Sequence, residues 1–355
     1  MTNIQQSLQS NYSRAGGQTN SAVLAKARSG DPASFEQLSE PYRRELLTHC
    51  YRIMGSLEDA EDLVQETLLR AWRRLNTYEG RASYRAWLYK IATNVCLDAL
   101  DRRPRRSLPP AVRPVADPQQ PFQSPETEPV WLEPFPNEMV APTEASPEVR
   151  FEAHEAVTLS FLVALQNLPA RQRCVLIMSD VLEWSLTETA DMLGITISTV
   201  NSLLYRARAT LQKHYQPRHS DTFKTIPPDE HIKMLLDRYV QAWEKADING
   251  IVALLKEDVT FAMPPSPSWY LGLAAIRTLF TNTIMAGEAR GLWRLQPVRV
   301  NGGWGLALYH RENTQSDFQA YAIQSVTLDG ERMSAIVTFL YPSLFRFFDL
   351  PAEIR

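Results

Sequence analysis

Cysteine is scarce in this chain. Cys50, Cys96 and Cys174 are the only three in 355 residues, and they form no CxxC or CxxxC pair. An odd, scattered set argues against a disulfide framework or a zinc site, and points to a reducing cytoplasm with three small core side chains. No apolar run reaches the ~18 residues that a membrane span needs. The leading stretch MTNIQQSLQSNYSRAGGQTN is polar throughout and lacks the apolar core of a signal peptide, so export is not expected. No GxxxxGK[ST] loop occurs, so no work on a partner would be driven by ATP through a P-loop. Positive charge is not in excess either: 37 Lys and Arg face 40 Asp and Glu. That balance excludes a protein that coats DNA non-specifically, since such binding is almost entirely phosphate electrostatics.

The charge is uneven along the chain. Residues 1–110 carry 16 basic and 12 acidic side chains, residues 111–150 carry 2 and 7, residues 151–220 carry 6 and 6, and residues 221–355 carry 13 and 15. An acidic average therefore leaves room for a locally basic, nucleic-acid-binding part. The length suits two or three domains with separate cores.

The most informative stretch is WSLTETADMLGITISTVNSLLYRARATL, residues 184–211. Ser185 and Glu188 have capping-box spacing, and the first helix is expected over Leu186–Leu193, stopped by Gly194. A second helix starts near Thr196, with Val200, Leu204, Ala207 and Leu211 on one apolar face. Ser198, Asn201, Ser202 and Tyr205 project from the other side, where a recognition helix meets base edges. Taken alone, the stretch also fits a buried αα-hairpin.

Residues 21–106 read as helix with short breaks at Gly30-Asp31-Pro32 and Gly55-Ser56. In LEDAEDLVQETLLRAWRRL, acids lead and arginines follow, as the helix dipole favours. Leu63, Thr67, Leu68, Ala71 and Trp72 are its expected core stripe. A loop, NTYEGRAS, leads to the helix YRAWLYKIATNVCLDALDRR. Residues 104–147 hold 12 of the 24 prolines and read as an extended linker. Its apolar patch, Val130–Pro136, is costly to leave solvated and is expected to dock on a folded domain. Beyond a second linker the texture changes to two helices, then strands with turns at Asn301-Gly302-Gly303 and Asp329-Gly330. Helices followed by a curved antiparallel sheet make an α+β domain. The aromatic tail PSLFRFFDLP is expected to pack back.

Three segments, GDPASFEQLSEPYRRELLTHCYRIMGSLEDAEDLVQETLLRAWRRL, GRASYRAWLYKIATNVCLDALDRRPRR and LPARQRCVLIMSDVLEWSLTETADMLGITISTVNSLLYRARATL, together resemble the sigma-70 family, in its extracytoplasmic-function (ECF) group. The last ~125 residues resemble a SnoaL-like domain of the nuclear-transport-factor-2-like cone fold, and WLEPFP resembles a linker motif of the sigma factors that carry one. The resemblance implies a multidomain chain: a disordered N-terminus (1–20), an all-α region 2 (21–106), a Pro-rich linker (107–147), an all-α region 4 with the helix-turn-helix (148–216), a short linker (217–229), an α+β cone (230–342) and a tail (343–355).

By the same resemblance, Asp62, Gln65, Glu66, Leu69, Arg70 and Arg73 bind the β′ clamp of core RNA polymerase, and region 4 meets the β flap. Arg81, Ser83, Tyr84, Arg85, Trp87, Lys90, Asn94, Arg102 and Arg103 engage the −10 element of promoter DNA, where unstacked bases need aromatic faces and a basic groove. Ser198, Thr199, Asn201, Ser202, Tyr205, Arg206 and Arg208 engage the −35 element. Asn201 and Leu203 stand where the family often has cations. Asn201 can still bridge an adenine, but Leu203 can make no phosphate contact, so DNA binding by the free protein is expected to be weak. Trp131, Leu132, Glu133 and Pro134 form a regulatory linker that contacts the cone, and the cone in turn meets the sigma domains. No cofactor, metal or membrane is implied. Two other readings compete: a stand-alone helix-turn-helix regulator with a ligand-sensing cone, and a cyclase or isomerase tethered to a DNA-binding module. The latter would use Asp258, His310 and Asp317 as acid–base groups, in a cavity lined by Trp269, Trp304 and Tyr309.

Overall fold

The structure, a computed structural model, describes residues 21–121, 123–126, 130–140, 153–215, 229–287 and 289–355. The expected disordered N-terminus and nearly all of the linker at 217–229 lie outside the described residues. Two compact units emerge. The first combines the chain up to Arg103 with Leu168–Ala209; the second combines Pro104–Asn167 with Thr210–Arg355.

The first unit is all helical. Its elements are α1 (Ser21–Arg28), α2 (Pro32–Met54), α3 (Leu57–Arg74) and α4 (Tyr84–Leu100). The expected breaks are the observed ones. The Asp31 side chain caps α2 by accepting from the Ser34 N–H at 3.1 Å, Pro32 occupies the first turn where its missing N–H costs nothing, and Gly55 closes the helix at φ 75°. Ser56 then caps α3. The core stripe of α3 runs along Leu57, Ala60, Leu63, Val64, Thr67 and Ala71, which corrects the expected one. Leu68 and Trp72 are only half-buried and line a groove of about 340 Å³ with Phe35, Ser39, Arg43 and Leu69. Both belong to the expected helical period, but they fall at its margin, where α2 covers them only in part, through Phe35 edge-on to Trp72 at 5.0 Å.

After α5 (Leu159–Gln166), which belongs to the second unit, the chain returns as α6 (Ala170–Leu176), α7 (Leu186–Leu193) and α8 (Ile197–His214). The capping box of Ser185 and Glu188 is present, and Gly194 ends α7 in the left-handed region at φ 62°. Val200, Leu204 and Ala207 are the buried face of α8.

In the second unit, α9 (Asp229–Glu244), α10 (Ile248–Ala253) and α11 (Leu273–Leu279) accompany a seven-stranded sheet. The strands are β1 (Leu255–Ala262), β2 (Trp269–Leu271), β3 (Trp293–Val300), β4 (Gly303–His310), β5 (Phe318–Asp329), β6 (Arg332–Phe339) and β7 (Glu353–Ile354). The order is β2-β1-β6-β5-β4-β3, with β7 on β5. The expected antiparallel sheet is corrected at one pairing: β6 inserts between β5 and β1 and runs parallel to β1. Alternation along a strand reports which face is buried and is blind to the direction of the neighbour. Strands of two or three residues, β2 and β7, show no alternation and escaped the sequence reading.

One face of the sheet carries Leu295, Leu306, Leu308 and Val326 into a core shared with Tyr239 and Trp243 of α9. The other carries Ala307, Tyr309 and Ile323, and the tail closes over it through Phe345. Tail residues Leu344, Phe345 and Phe347 are buried, so the expected return of the tail holds.

Candidate nucleic-acid and polymerase interfaces

The helix α3 presents one face outward. Asp62, Gln65, Leu69 and Arg73 are exposed along it, Leu69 to 43 %. Glu66 and Arg70 are half-buried and occupied with each other at 2.6 Å, while Arg70 also reaches Asp98 at 3.0 Å. These carboxylates hold the Arg70 guanidinium firmly protonated. The face therefore offers an apolar knob, Leu69, flanked by groups of both signs beside the groove.

The residues expected at the −10 element divide into surface and core. Arg81, Ser83, Lys90, Asn94 and Arg102 are exposed. Tyr84 is 2 % exposed, its hydroxyl 2.9 Å from Ser39 Oγ, and burial pushes its pKa up to about 12. It is a core ring in this conformation, unable to stack on a base, which corrects the expectation. Its place is structural because it opens α4 directly after the cap, Ser83, whose hydroxyl accepts from the Ala86 N–H. Trp87 sits differently: half-buried, with its ring 5.4 Å from Tyr78 and 5.5 Å from Tyr84. The aromatic cluster Tyr42–Tyr78–Tyr84 thus forms a floor under a partly open indole. Arg85 is committed to Glu45 at 2.6 Å and lies over the Tyr89 ring at 4.9 Å. Arg103 pairs with Asp59.

The recognition face of α8 is open. Ser198, Thr199, Asn201, Ser202, Tyr205, Arg206 and Arg208 are all exposed, Tyr205 to 77 %. Two have local duties: Thr199 shares the helix cap with Thr196, and Ser202 Oγ donates to Ser198 O at 3.0 Å. Arg208 is held by both oxygens of Asp180, at 3.0 and 2.6 Å, and that pairing raises its already high pKa. Of the two expected cations, Arg206 is the one without a carboxylate among the described residues.

Sequence reasoning missed Arg173 and Trp184. Arg173 is 2 % exposed and donates to Ile53 O at 2.5 Å and Leu168 O at 3.2 Å. Trp184 lies 5.3 Å from the Tyr89 ring. Nothing in the local sequence marks either, because Ile53 lies 120 positions from Arg173 and Tyr89 lies 95 positions from Trp184.

In the second unit the linker patch is docked, as expected. Trp131, Leu132, Phe135 and the flanking Glu133, Pro134 and Pro136 are buried. Trp131 Nε1 donates to Pro265 O at 3.0 Å, and Arg106 donates to Trp131 O at 2.7 Å while approaching Glu133 at 3.4 Å. The β3–β4 hairpin tip does the rest. Asn301 (φ 49°) and Gly302 (φ 74°) make a two-residue turn of the type that suits sheet twist. Asn301 Oδ1 accepts from the Phe135 N–H at 3.2 Å, its own N–H donates to Phe135 O at 2.8 Å, and its Nδ2 donates to Val157 O at 2.8 Å. Gly302 N–H donates to Asn137 Oδ1 at 2.8 Å, and a Cβ at Gly302 would lie 2.3 Å from His154 O. One hairpin tip thus grips both the linker and the segment that leads into α5.

The expected acid–base trio of the cone does not assemble. His310 and Asp317 line one open pocket of about 450 Å³ with Arg311, Glu312, Tyr321 and Glu353. Asp258 lies outside that lining, 4.0 Å from Lys256. Tyr309 sits on the opposite face, Trp269 donates to Arg113 O, and Trp304 lies under the Arg299 guanidinium. The His310 ring packs 4.5 Å from Trp293, and burial lowers its pKa. Among the described residues no cluster of His, Cys, Asp and Glu is arranged to hold a metal, and no helix is long and apolar enough to cross a membrane.

Three family models match: Sigma-70 region 2 over residues 38–106, Sigma-70 region 4 over residues 158–211, and a SnoaL-like domain over residues 236–346. The chain is 42 % identical over 340 residues to the ECF RNA polymerase sigma factor SigG of Mycobacterium tuberculosis, covering 94 % of this chain and 90 % of that one. It is 26 % identical over 192 residues to the ECF RNA polymerase sigma factor SigW of Bacillus subtilis, covering 54 % of this chain and 93 % of that one. The crystal structure of the Mycobacterium tuberculosis extracytoplasmic function sigma factor SigJ has the same fold at a TM-score of 0.54 and 22 % identity, covering 88 % of this chain and 98 % of that one. The match to region 2 separates the chain from a stand-alone helix-turn-helix regulator. The chain belongs to the ECF RNA polymerase sigma factors, with a SnoaL-like domain following its two sigma regions.

Proposed function

We propose that the surfaces described above divide the work of promoter-specific initiation. The exposed face of α3, Asp62, Gln65, Leu69 and Arg73, docks on the polymerase clamp, with the Glu66–Arg70 pair stiffening it. Trp87, backed by its aromatic floor, captures an unstacked −10 base, while Arg81, Asn94 and Arg102 follow the strand. A base stacked on an aromatic ring contributes ~1–3 kcal/mol. Asn201 and its neighbours read the −35 duplex, with Arg206 as the main phosphate contact. Asn201 can bridge an adenine edge. Having so few free cations on α8, the protein relies on polymerase for affinity.

We further propose that the SnoaL-like domain acts in cis and not as a catalyst. The observation that carries this reading is the Asn301–Gly302 turn, which grips Phe135 and Asn137 on one side and His154 and Val157 on the other. The linker and the entry to region 4 are thereby fixed to one another through the domain. Gly302→Val tests it, since the new Cβ collides with His154 O in a backbone conformation that valine resists. In reconstituted transcription with core polymerase, the variant is expected to change promoter output at unchanged core affinity. Unchanged output with a released linker, seen as gained proteolysis near residue 135, would remove the regulatory role.

A further inference from the structure

Exposed large apolar side chains are scarce on the first unit. Among its described residues they are Leu69, Ile197 and Tyr205. Leu69 belongs to the outward face of α3, and the other two both lie on α8. Single exposed apolar residues are ordinary, so their presence decides nothing; their placement does. Ile197 is the first residue of α8 and is 45 % exposed. Asn201 follows it by one turn and Tyr205 by two, so the three are successive neighbours along the helix. Val200, Leu204 and Ala207 bury a separate stripe, while Ile197, Asn201 and Tyr205 are all exposed.

The first turn of α8 is held firmly. The Thr199 N–H donates to Thr196 Oγ1 at 3.2 Å, the two threonine hydroxyls lie 2.8 Å apart, and the Val200 N–H donates to Thr196 O at 3.0 Å. These bonds fix the Cα–Cβ direction of Ile197, and a β-branched side chain in a helix keeps one preferred χ1 rotamer. The result is a rigid apolar knob at the end of the helix from which base edges are reached. Being rigid already, it loses little side-chain freedom on contact. In the major groove one base presents an apolar group at its edge: thymine, through its 5-methyl. We infer that Ile197 reads a thymine methyl in the −35 duplex. The inference rests on the reading that α8 engages that element, and adds to it a residue and a base. Side chains one turn apart are separated by ~5–6 Å, and base pairs repeat every ~3.4 Å. The thymine therefore lies within about two base pairs of the adenine that Asn201 bridges, on either strand. The contact adds discrimination without charge, on a helix where Arg208 is already paired with Asp180.

The test removes the methyl alone. Core polymerase loaded with the full-length chain is challenged with duplexes spanning a promoter mapped by transcript sequencing. Each −35 thymine, on both strands, is replaced in turn by uracil, which pairs identically and lacks only the 5-methyl. Affinity is measured by competition for the parent, Ile197→Ala, Ile197→Val and Tyr205→Ala. With the parent, one replacement is expected to weaken binding about three- to tenfold; with Ile197→Ala it should change nothing. Ile197→Val, which keeps a branched knob, should retain most of the effect. The adenine read by Asn201 is located separately, by 7-deazaadenine substitution against Asn201→Ala, and should fall within about two base pairs of that thymine. A −35 element without thymine, or one with no methyl effect at any thymine, would overturn the inference. So would a methyl effect that survives Ile197→Ala, one abolished by Tyr205→Ala alone, or a thymine lying further from that adenine. If Asn201→Ala, Arg206→Ala and Ile197→Ala all leave the dependence on −35 sequence untouched, the assignment of α8 to that element fails as well.

Discussion

Asn301→Ala is the sharpest perturbation of the linker grip. The side chain is 5 % exposed and makes two buried hydrogen bonds, accepting from Phe135 N–H and donating to Val157 O. Removing it leaves a buried donor and a buried acceptor unpaired, at roughly 1–3 kcal/mol each. Asparagine also tolerates the left-handed backbone at φ 49° better than alanine does. The expected cost is therefore about 3–5 kcal/mol, concentrated on the docked linker and on the segment before α5. Hydrogen exchange resolved by peptide should show residues 130–137 and 153–158 losing protection by two orders of magnitude or more. The strands β5 and β6 should be unaffected. Asn301→Asp separates the two halves: the carboxylate keeps the acceptor for Phe135 and loses the donor for Val157, so only 153–158 should loosen strongly. Equal protection in Asn301→Ala and parent would refute the reasoning, as would uniform loss across the whole second unit.

Other perturbations address the remaining surfaces. Trp87→Ala should slow open-complex formation about tenfold or more, in line with one lost stacking contact. Tyr84→Phe should cost only ~1 kcal/mol of stability through its bond to Ser39 and leave opening unchanged; permanganate footprinting beside thermal unfolding distinguishes the two. On a −35 duplex, Arg206→Ala should lower the slope of log affinity against log salt by about one, whereas Arg208→Ala, whose guanidinium is neutralised by Asp180, should change it little. Equal slopes for the two variants would contradict this. His49 is buried against Thr93, and burial lowers its pKa to about 3. The folded state therefore excludes a proton that the unfolded chain binds below about pH 6.5. Its contribution is complete above that value and is lost as pH falls toward 3, by about 2 kcal/mol between pH 6.5 and 5. Denaturant titrations of parent and His49→Gln at pH 7 and 5 should converge in acid; parallel losses would exclude His49 as the source.

What the sequence made legible was local. The cap at Ser185, the stop at Gly194 and the apolar face through Val200, Leu204 and Ala207 stand as expected, since each depends on residues within one or two turns. The docking of Trp131 and Phe135 was legible from cost alone, because an apolar patch among prolines needs a partner. Its partner was not legible. Asn301 lies 166 positions from Phe135, and a turn-forming asparagine looks the same whether its amide is solvated or gripping another segment. Tyr84 illustrates the opposite error: an aromatic beside basic residues suits a base-binding face, yet Ser39, 45 positions earlier, claims its hydroxyl. The contact of Trp184 was hidden for the same reason, since a residue before a helix cap carries no sign of the ring it meets at Tyr89.

The path of the chain between the two units has a practical consequence. It enters the second unit at Pro104, leaves after Asn167 and re-enters at Thr210. The described residues between 104 and 167 therefore belong to one compact unit with a domain whose own sequence starts some sixty residues later. A stop codon introduced ahead of α9 would remove the lining against which Trp131, Leu132 and Phe135 are buried, exposing side chains each worth about 1.5–3 kcal/mol of burial. Such a truncated protein is not a freed sigma factor but one with an unlined sticky segment in its middle, prone to self-association. Loss of activity in it would report on that segment as much as on regulation. Cleaner genetics lies in point changes at the hairpin tip, which unfasten the segment while leaving the domain present to shelter it.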